Sequence, residues 1–114
     1  MDGRFAPEAA REALMAERAR VRVELEENEV EAPGPMTYGS QAAAASHVFE
    51  QQRDLALRER NTLHLVAIDA ALARLDAGTY GRCTSCGKPI APERLEALPW
   101  AELCIDCQRG APRR

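Results

Sequence analysis

The sequence predicts a mainly α protein, an antiparallel two-helix coiled-coil hairpin followed by a small C-terminal four-cysteine zinc finger. Three observations predict it. Two stretches rich in Ala, Glu, Arg and Leu carry apolar residues at helical spacing, a short Pro/Gly connection separates them, and all four cysteines fall in the last third as two matched pairs.

The first helix is expected over about residues 7–31, where no glycine interrupts the run and Pro7 suits a first helical position because its missing N–H needs no partner there. Leu14, Val21 and Leu25, extended by Ala10, share one face, while Arg20, Glu24 and Glu27 point elsewhere. So thin a face needs a partner. Ala32-Pro33-Gly34-Pro35 stops the helix, and the connection runs over about 32–40 to Ser40, which suits the N-cap of the next helix.

The second helix is expected over about 41–76, a run with no Pro or Gly. Leu65, Ile68, Leu72 and Leu75 make one 3-4-3 stripe; Val48, Leu55, Thr62 and Val66 make another. Gly78 then supplies the left-handed residue at which many helices stop. Two apolar-striped helices joined by a short connection form a hairpin occupying residues 1–78, with self-association into a larger bundle as the competing arrangement. The first helix is the shorter, so part of the second is expected to stand unpaired or to pack on the finger.

Residues 79–110 form the expected finger. The spacing C-x2-C-x17-C-x2-C of Cys83, Cys86, Cys104 and Cys107 is that of a structural zinc site: each C-x2-C knuckle brings two thiolates onto one ion, and two knuckles complete a tetrahedron. Four protein ligands leave no open position, so a single structural Zn²⁺ is expected, and its binding is folding energy for a module too small to stand on its apolar core. Ile90, Leu95, Leu98, Trp100, Leu103 and Ile105 are the residues available to pack around it, and Arg82, Lys88, Arg94 and Arg109 can soften the anionic cluster. A redox dithiol, paired disulfides and an iron–sulfur cluster are the other uses of such cysteines; the first lacks its α/β setting and the second an export signal. The tail, residues 111–114, is expected to be disordered.

The net charge of −3 does not favour a nucleic-acid backbone as the main partner. No apolar run is long enough to span a membrane and the N-terminus lacks a secretory layout, so the expected location is cytoplasmic. No catalytic set can be argued from spacing, and a non-enzymatic role is expected. His47 and His64 are read as solvent or interface residues.

The run Gly78-Thr79-Tyr80-Gly81-Arg82-Cys83-Thr84-Ser85-Cys86-Gly87, with Ile90, Arg94-Leu95-Glu96-Ala97, Pro99, Ala101 and Leu103-Cys104-Ile105-Asp106-Cys107-Gln108, resembles the zinc-finger signature of the DksA/TraR family. The resemblance covers roughly residues 50–108 and implies a hairpin ahead of a C4 finger, with Cys83, Cys86, Cys104 and Cys107 as zinc ligands. It also implies a bacterial-type regulator of transcription that binds RNA polymerase, inserting the hairpin tip into the secondary channel without binding specific DNA sequences. The tip falls in the 33–45 region, with Met36, Thr37, Tyr38, Ser40, Ala43 and Ala45 as candidate contacts and Arg53, Arg58 and Arg60 as further candidates on the second helix. Where the family's tip motif reads Asp-x-x-Asp-x-Ala, this chain has Ser40, Ala43 and Ala45. Where ppGpp-binding members place basic groups, it has Ala67, Leu98 and Gln108, although Arg94 is present, and dependence on ppGpp is not expected. The alternatives are a nucleic-acid-binding zinc protein and a self-associating helical zinc adaptor.

Overall fold

The computed structural model describes residues 5–27 and 41–110. Four helices follow one another: α1 (Pro7–Glu27), α2 (Gln41–Ala77), α3 (Pro92–Ala97) and α4 (Ile105–Gln108). Among the described residues no extended strand forms; one isolated antiparallel bridge joins Arg82 to Pro89. The fold class is the expected one. Residues 28–31, the 32–40 connection with Met36, Thr37, Tyr38 and Ser40, and the tail 111–114 lie outside the described residues, as do the side chains of Ala43 and Ala45 in the first turns of α2.

α1 and α2 pair in antiparallel fashion, and the pairing follows from their stripes. Leu14, Val21, Ile68 and Ala71 are completely buried against one another, with Leu25, Leu65, Leu72, Leu75, Tyr80 and Trp100 closing the cluster. Val48, Leu55 and Val66 of the second stripe are exposed, Val66 to 61%. Only the stripe that meets α1 became core.

Cross-helix ion pairs set the register: Arg11 donates to Asp76 and Arg18 to Asp69, each at 2.7 Å. Arg58 Nη1 donates to the Leu25 carbonyl at 2.9 Å, a further tie between the two helices. α2 ends as its glycine demands. The Thr79 N–H bonds the Arg74 carbonyl and the Gly78 N–H that of Leu75, a Schellman pair with Gly78 at φ +77°.

Midway along the pair, Glu17 is held by two side chains. Arg20 donates to both its oxygens, at 3.0 and 2.7 Å, and bonds Glu24 as well, while His64 Nε2 lies 2.8 Å from Glu17 Oε2. The Arg20 hydrogen bonds, with His64 adding to them, hold the Glu17 carboxyl down to about 2 although partial burial pushes it up. A depressed carboxyl contributes stability above its ordinary value and loses it on acidification. The helix-unfolding midpoint should therefore fall between about pH 4.5 and about pH 2, and more steeply in the native chain than in Glu17→Gln. Denaturant titrations followed by far-UV circular dichroism across that window check this; parallel curves for the two proteins count against it.

Candidate metal centre

The chain after α2 turns back on itself in a knuckle. Cys83 N–H bonds the Lys88 carbonyl at 2.8 Å and Gly87 N–H the Cys83 carbonyl at 2.9 Å, with Gly87 at φ +79°, a conformation in which any other residue is strained. Cys83 and Cys86 thus come from one tight turn. The second pair comes from a helix start. Cys104 is the extended N-cap of α4 and Cys107 lies one turn on, with the Gln108 N–H bonded to the Cys104 carbonyl.

Two bonds align the knuckles. The Thr84 N–H donates to the Glu102 carbonyl at 2.8 Å, and Arg94 Nε on α3 donates to the Leu103 carbonyl at 3.0 Å, just ahead of Cys104. Arg94 thereby acts as a strut. Ile90, Leu95 and Ala101 pack with buried Cys83 beneath the site, and Phe5, Tyr80, Leu98 and Leu103 border them. Ile105, expected among the packing residues, is instead 47% exposed because it sits on the outer side of the single turn that carries Cys107.

The four sulfurs lie within 4.8 Å of one another, with Cys86 Sγ and Cys104 Sγ 3.7 Å apart. A tetrahedron of Zn–S bonds of about 2.3 Å has edges of roughly 3.8 Å. The donor set therefore fits one Zn²⁺ with small adjustment.

Packing drives the acidities of two of the sulfurs apart. Burial raises the Cys83 thiol, yet the influence of the nearby backbone N–H groups of Cys104, Cys86 and Ser85 outweighs it and brings it down to about 6. Cys107 goes the other way, raised to about 12 by burial and by sharing its proton with the sulfurs of Cys104, Cys83 and Cys86. Packed sulfurs do not all ionise alone, and a divalent cation relieves that repulsion.

The profile of the prokaryotic dksA/traR C4-type zinc finger matches residues 78–113. Across the hairpin as well, the chain is 33% identical over 103 residues to the RNA polymerase-binding transcription factor DksA of Haemophilus influenzae, covering 90% of this chain and 67% of that protein. The chain belongs to the DksA/TraR family. Its likeness to the Escherichia coli K12 DksA is 32% over 107 residues, 94% of this chain and 67% of that one. The structure of transcription factor DksA2 from Pseudomonas aeruginosa superposes with a TM-score of 0.75 at 32% identity, covering 91% of this chain and 81% of that one. As in the family's finger, the four cysteines make a C4 centre that fits a single structural Zn²⁺.

The remaining candidates are dispersed. Arg53 and Arg60 are exposed on α2, and Arg58 is half-buried by its bond to α1. Ala67 and Leu98 are half-buried and Gln108 is exposed. Trp100, expected in the finger's own packing, lies instead against the hairpin core, its ring 4.4 Å from that of His64 at an interplanar angle of 85°. No spacing rule links positions 64 and 100, so nothing in the sequence could have paired them.

Proposed function

We propose that this chain is a zinc-containing regulator of transcription that binds RNA polymerase and modulates initiation, entering the secondary channel with the tip of its hairpin. One observation carries the reading: a helical hairpin rooted in a C4 finger, in a chain a third identical over most of its length to RNA polymerase-binding transcription factors. Cys83, Cys86, Cys104 and Cys107 are the proposed ligands of one structural zinc, whose part is to hold the base from which the hairpin projects.

Met36, Thr37, Tyr38, Ser40, Ala43 and Ala45 are the proposed tip contacts, with Arg53, Arg58 and Arg60 along α2. The protein acts by binding rather than by chemistry, in the cytoplasm, without sequence-specific DNA contact. With Ala67, Leu98 and Gln108 where ppGpp-binding relatives supply cations, it acts independently of that nucleotide. Ser40 and Ala43 in place of tip carboxylates make it a detuned member, occupying the channel with a weaker effect at the catalytic centre.

The test is a titration of labelled, zinc-loaded protein with core RNA polymerase. Saturable binding is expected, lost when residues 33–45 are replaced by a short Gly-Ser turn, and Ser40→Asp/Ala43→Asp should bind similarly while gaining promoter inhibition. No binding at micromolar polymerase sinks the proposal. A steeply salt-dependent affinity for DNA or a dimeric mass at micromolar concentration replaces it with one of the two alternatives.

A further inference from the structure

Between α3 and α4 the chain passes through Pro99, Trp100 and Ala101, and each of the three is gripped by the hairpin or its junction with the finger. The Tyr80 hydroxyl donates to the Pro99 carbonyl at 2.8 Å. Trp100 packs on the buried cluster of Leu14, Val21, Ile68 and Ala71 and meets His64 edge to face. Arg74 Nη2 reaches the Ala101 carbonyl at 3.5 Å, its Nε buried without a partner among the described residues.

Ala101 itself is buried in the finger's core with Cys83, Ile90 and Leu95. Neighbouring residues thus pack with different cores, half-buried Trp100 against the hairpin's and buried Ala101 in the finger's. Burial raises the Tyr80 phenol, which keeps it protonated and able to donate. His64 in turn is braced by Glu17 on α1, so the Trp100 contact draws on both helices.

From this we infer that Trp100 is the pin of a joint that fixes the angle between finger and hairpin, with His64, Arg74 and Tyr80 as its positioning residues. The length of α2 makes that angle matter. Gln41–Ala77 spans 37 residues. At about 1.5 Å per residue, a swing of about 10° at its base moves the far end by roughly 10 Å.

If the finger meets the same partner, a tip that must enter a channel tolerates no such swing. The consequence for binding rests on the polymerase reading; the joint itself does not. If loosening the pin leaves the competent angle populated about a tenth of the time, apparent affinity falls about tenfold.

The experiment separates the two. Nitroxides are placed on unnatural side chains at the exposed positions 59 and 96, one on α2 and one on the finger, and their separation is measured by pulsed dipolar spectroscopy on the zinc-loaded chain without polymerase. A narrow distance distribution is expected in the native protein and in Trp100→Phe, and a broad one in Trp100→Ala at unchanged zinc stoichiometry. His64→Ala and Arg74→Met retain the tryptophan and should broaden it less; they carry the test if Trp100→Ala does not fold.

An equally narrow distribution in these variants overturns the joint. With polymerase added, Trp100→Ala should lose about tenfold in affinity and Trp100→Phe should recover it. Broadened distances with unchanged affinity overturn the joint's role in binding. Absence of binding by the native protein sinks the polymerase reading, and the distances then decide the joint by themselves.

Discussion

Cys104→Ser is expected to unfold the finger while leaving the hairpin helical. The finger's own core consists of Cys83, Ile90, Leu95 and Ala101. Burying an Ile or Leu contributes about 1.5–3 kcal/mol. So small an apolar core cannot hold the module alone, and metal coordination, about 10–16 kcal/mol in zinc-finger peptides, is the largest single contribution to it.

Cys104 is a demanding position to lose. Its sulfur lies 3.7 Å from that of Cys86, so it joins one knuckle to the other, and its backbone caps α4. A hydroxyl in its place is a far poorer zinc ligand than a thiolate. Zinc stoichiometry should fall from one per chain to near zero under a competing chelator, and the finger should become sensitive to protease.

Trp100 reports the same event, being the single tryptophan of the chain. Its emission should shift to the red as the Pro99–Ala101 segment leaves the hairpin, and chelating the native protein should reproduce the shift. Far-UV circular dichroism should retain most of its helical signal, because α1 and α2 have a core of their own. A zinc-free chain with native emission and native protease resistance would show that the finger folds without its metal.

The sequence made these two cores visible to different degrees. Leu14, Val21 and Ile68 could be read from their spacing because a helix repeats its faces regularly, and the cysteines because two knuckles around one ion need fixed short intervals. Gly78 marked the end of α2 for a similarly local reason. Periodicity could not tell which of two stripes on α2 would be covered: the 65–75 stripe is core, and Val48, Leu55 and Val66 are exposed. That depends on where α1 lies, a tertiary fact. Trp100 and Ile105 were misplaced for the same kind of reason, since both sit where chain direction changes within a few residues and neither spacing nor hydrophobicity says which side a turn presents.

Ile68→Ala is the second substitution expected to have a large effect, and it acts on the other core. Ile68 is fully buried, and it lies in the α1–α2 contact rather than at the finger. Removing its outer methyl groups forfeits their burial and leaves a cavity, costing about 2–5 kcal/mol where the surroundings cannot collapse. The neighbours here are poorly able to do so. Leu14 and Val21 are themselves completely buried on α1, and Arg11 and Arg18 of that helix pair with Asp76 and Asp69 of α2. Against the roughly 5–15 kcal/mol that a small domain has in total, such a loss moves the unfolding midpoint substantially. Leu63→Ala, of the same residue class but 63% exposed, should change stability by no more than about 0.5 kcal/mol. Denaturant titration of the helical signal for the two variants makes the comparison, with zinc stoichiometry measured alongside. Zinc should stay bound in Ile68→Ala because the cysteines draw on a separate set of residues, whereas Trp100 emission should report the loosened hairpin against which it packs. Equal midpoints for the two variants would overturn the assignment of the hairpin's stability to the Leu14, Val21 and Ile68 contact; an unequal pair locates it there.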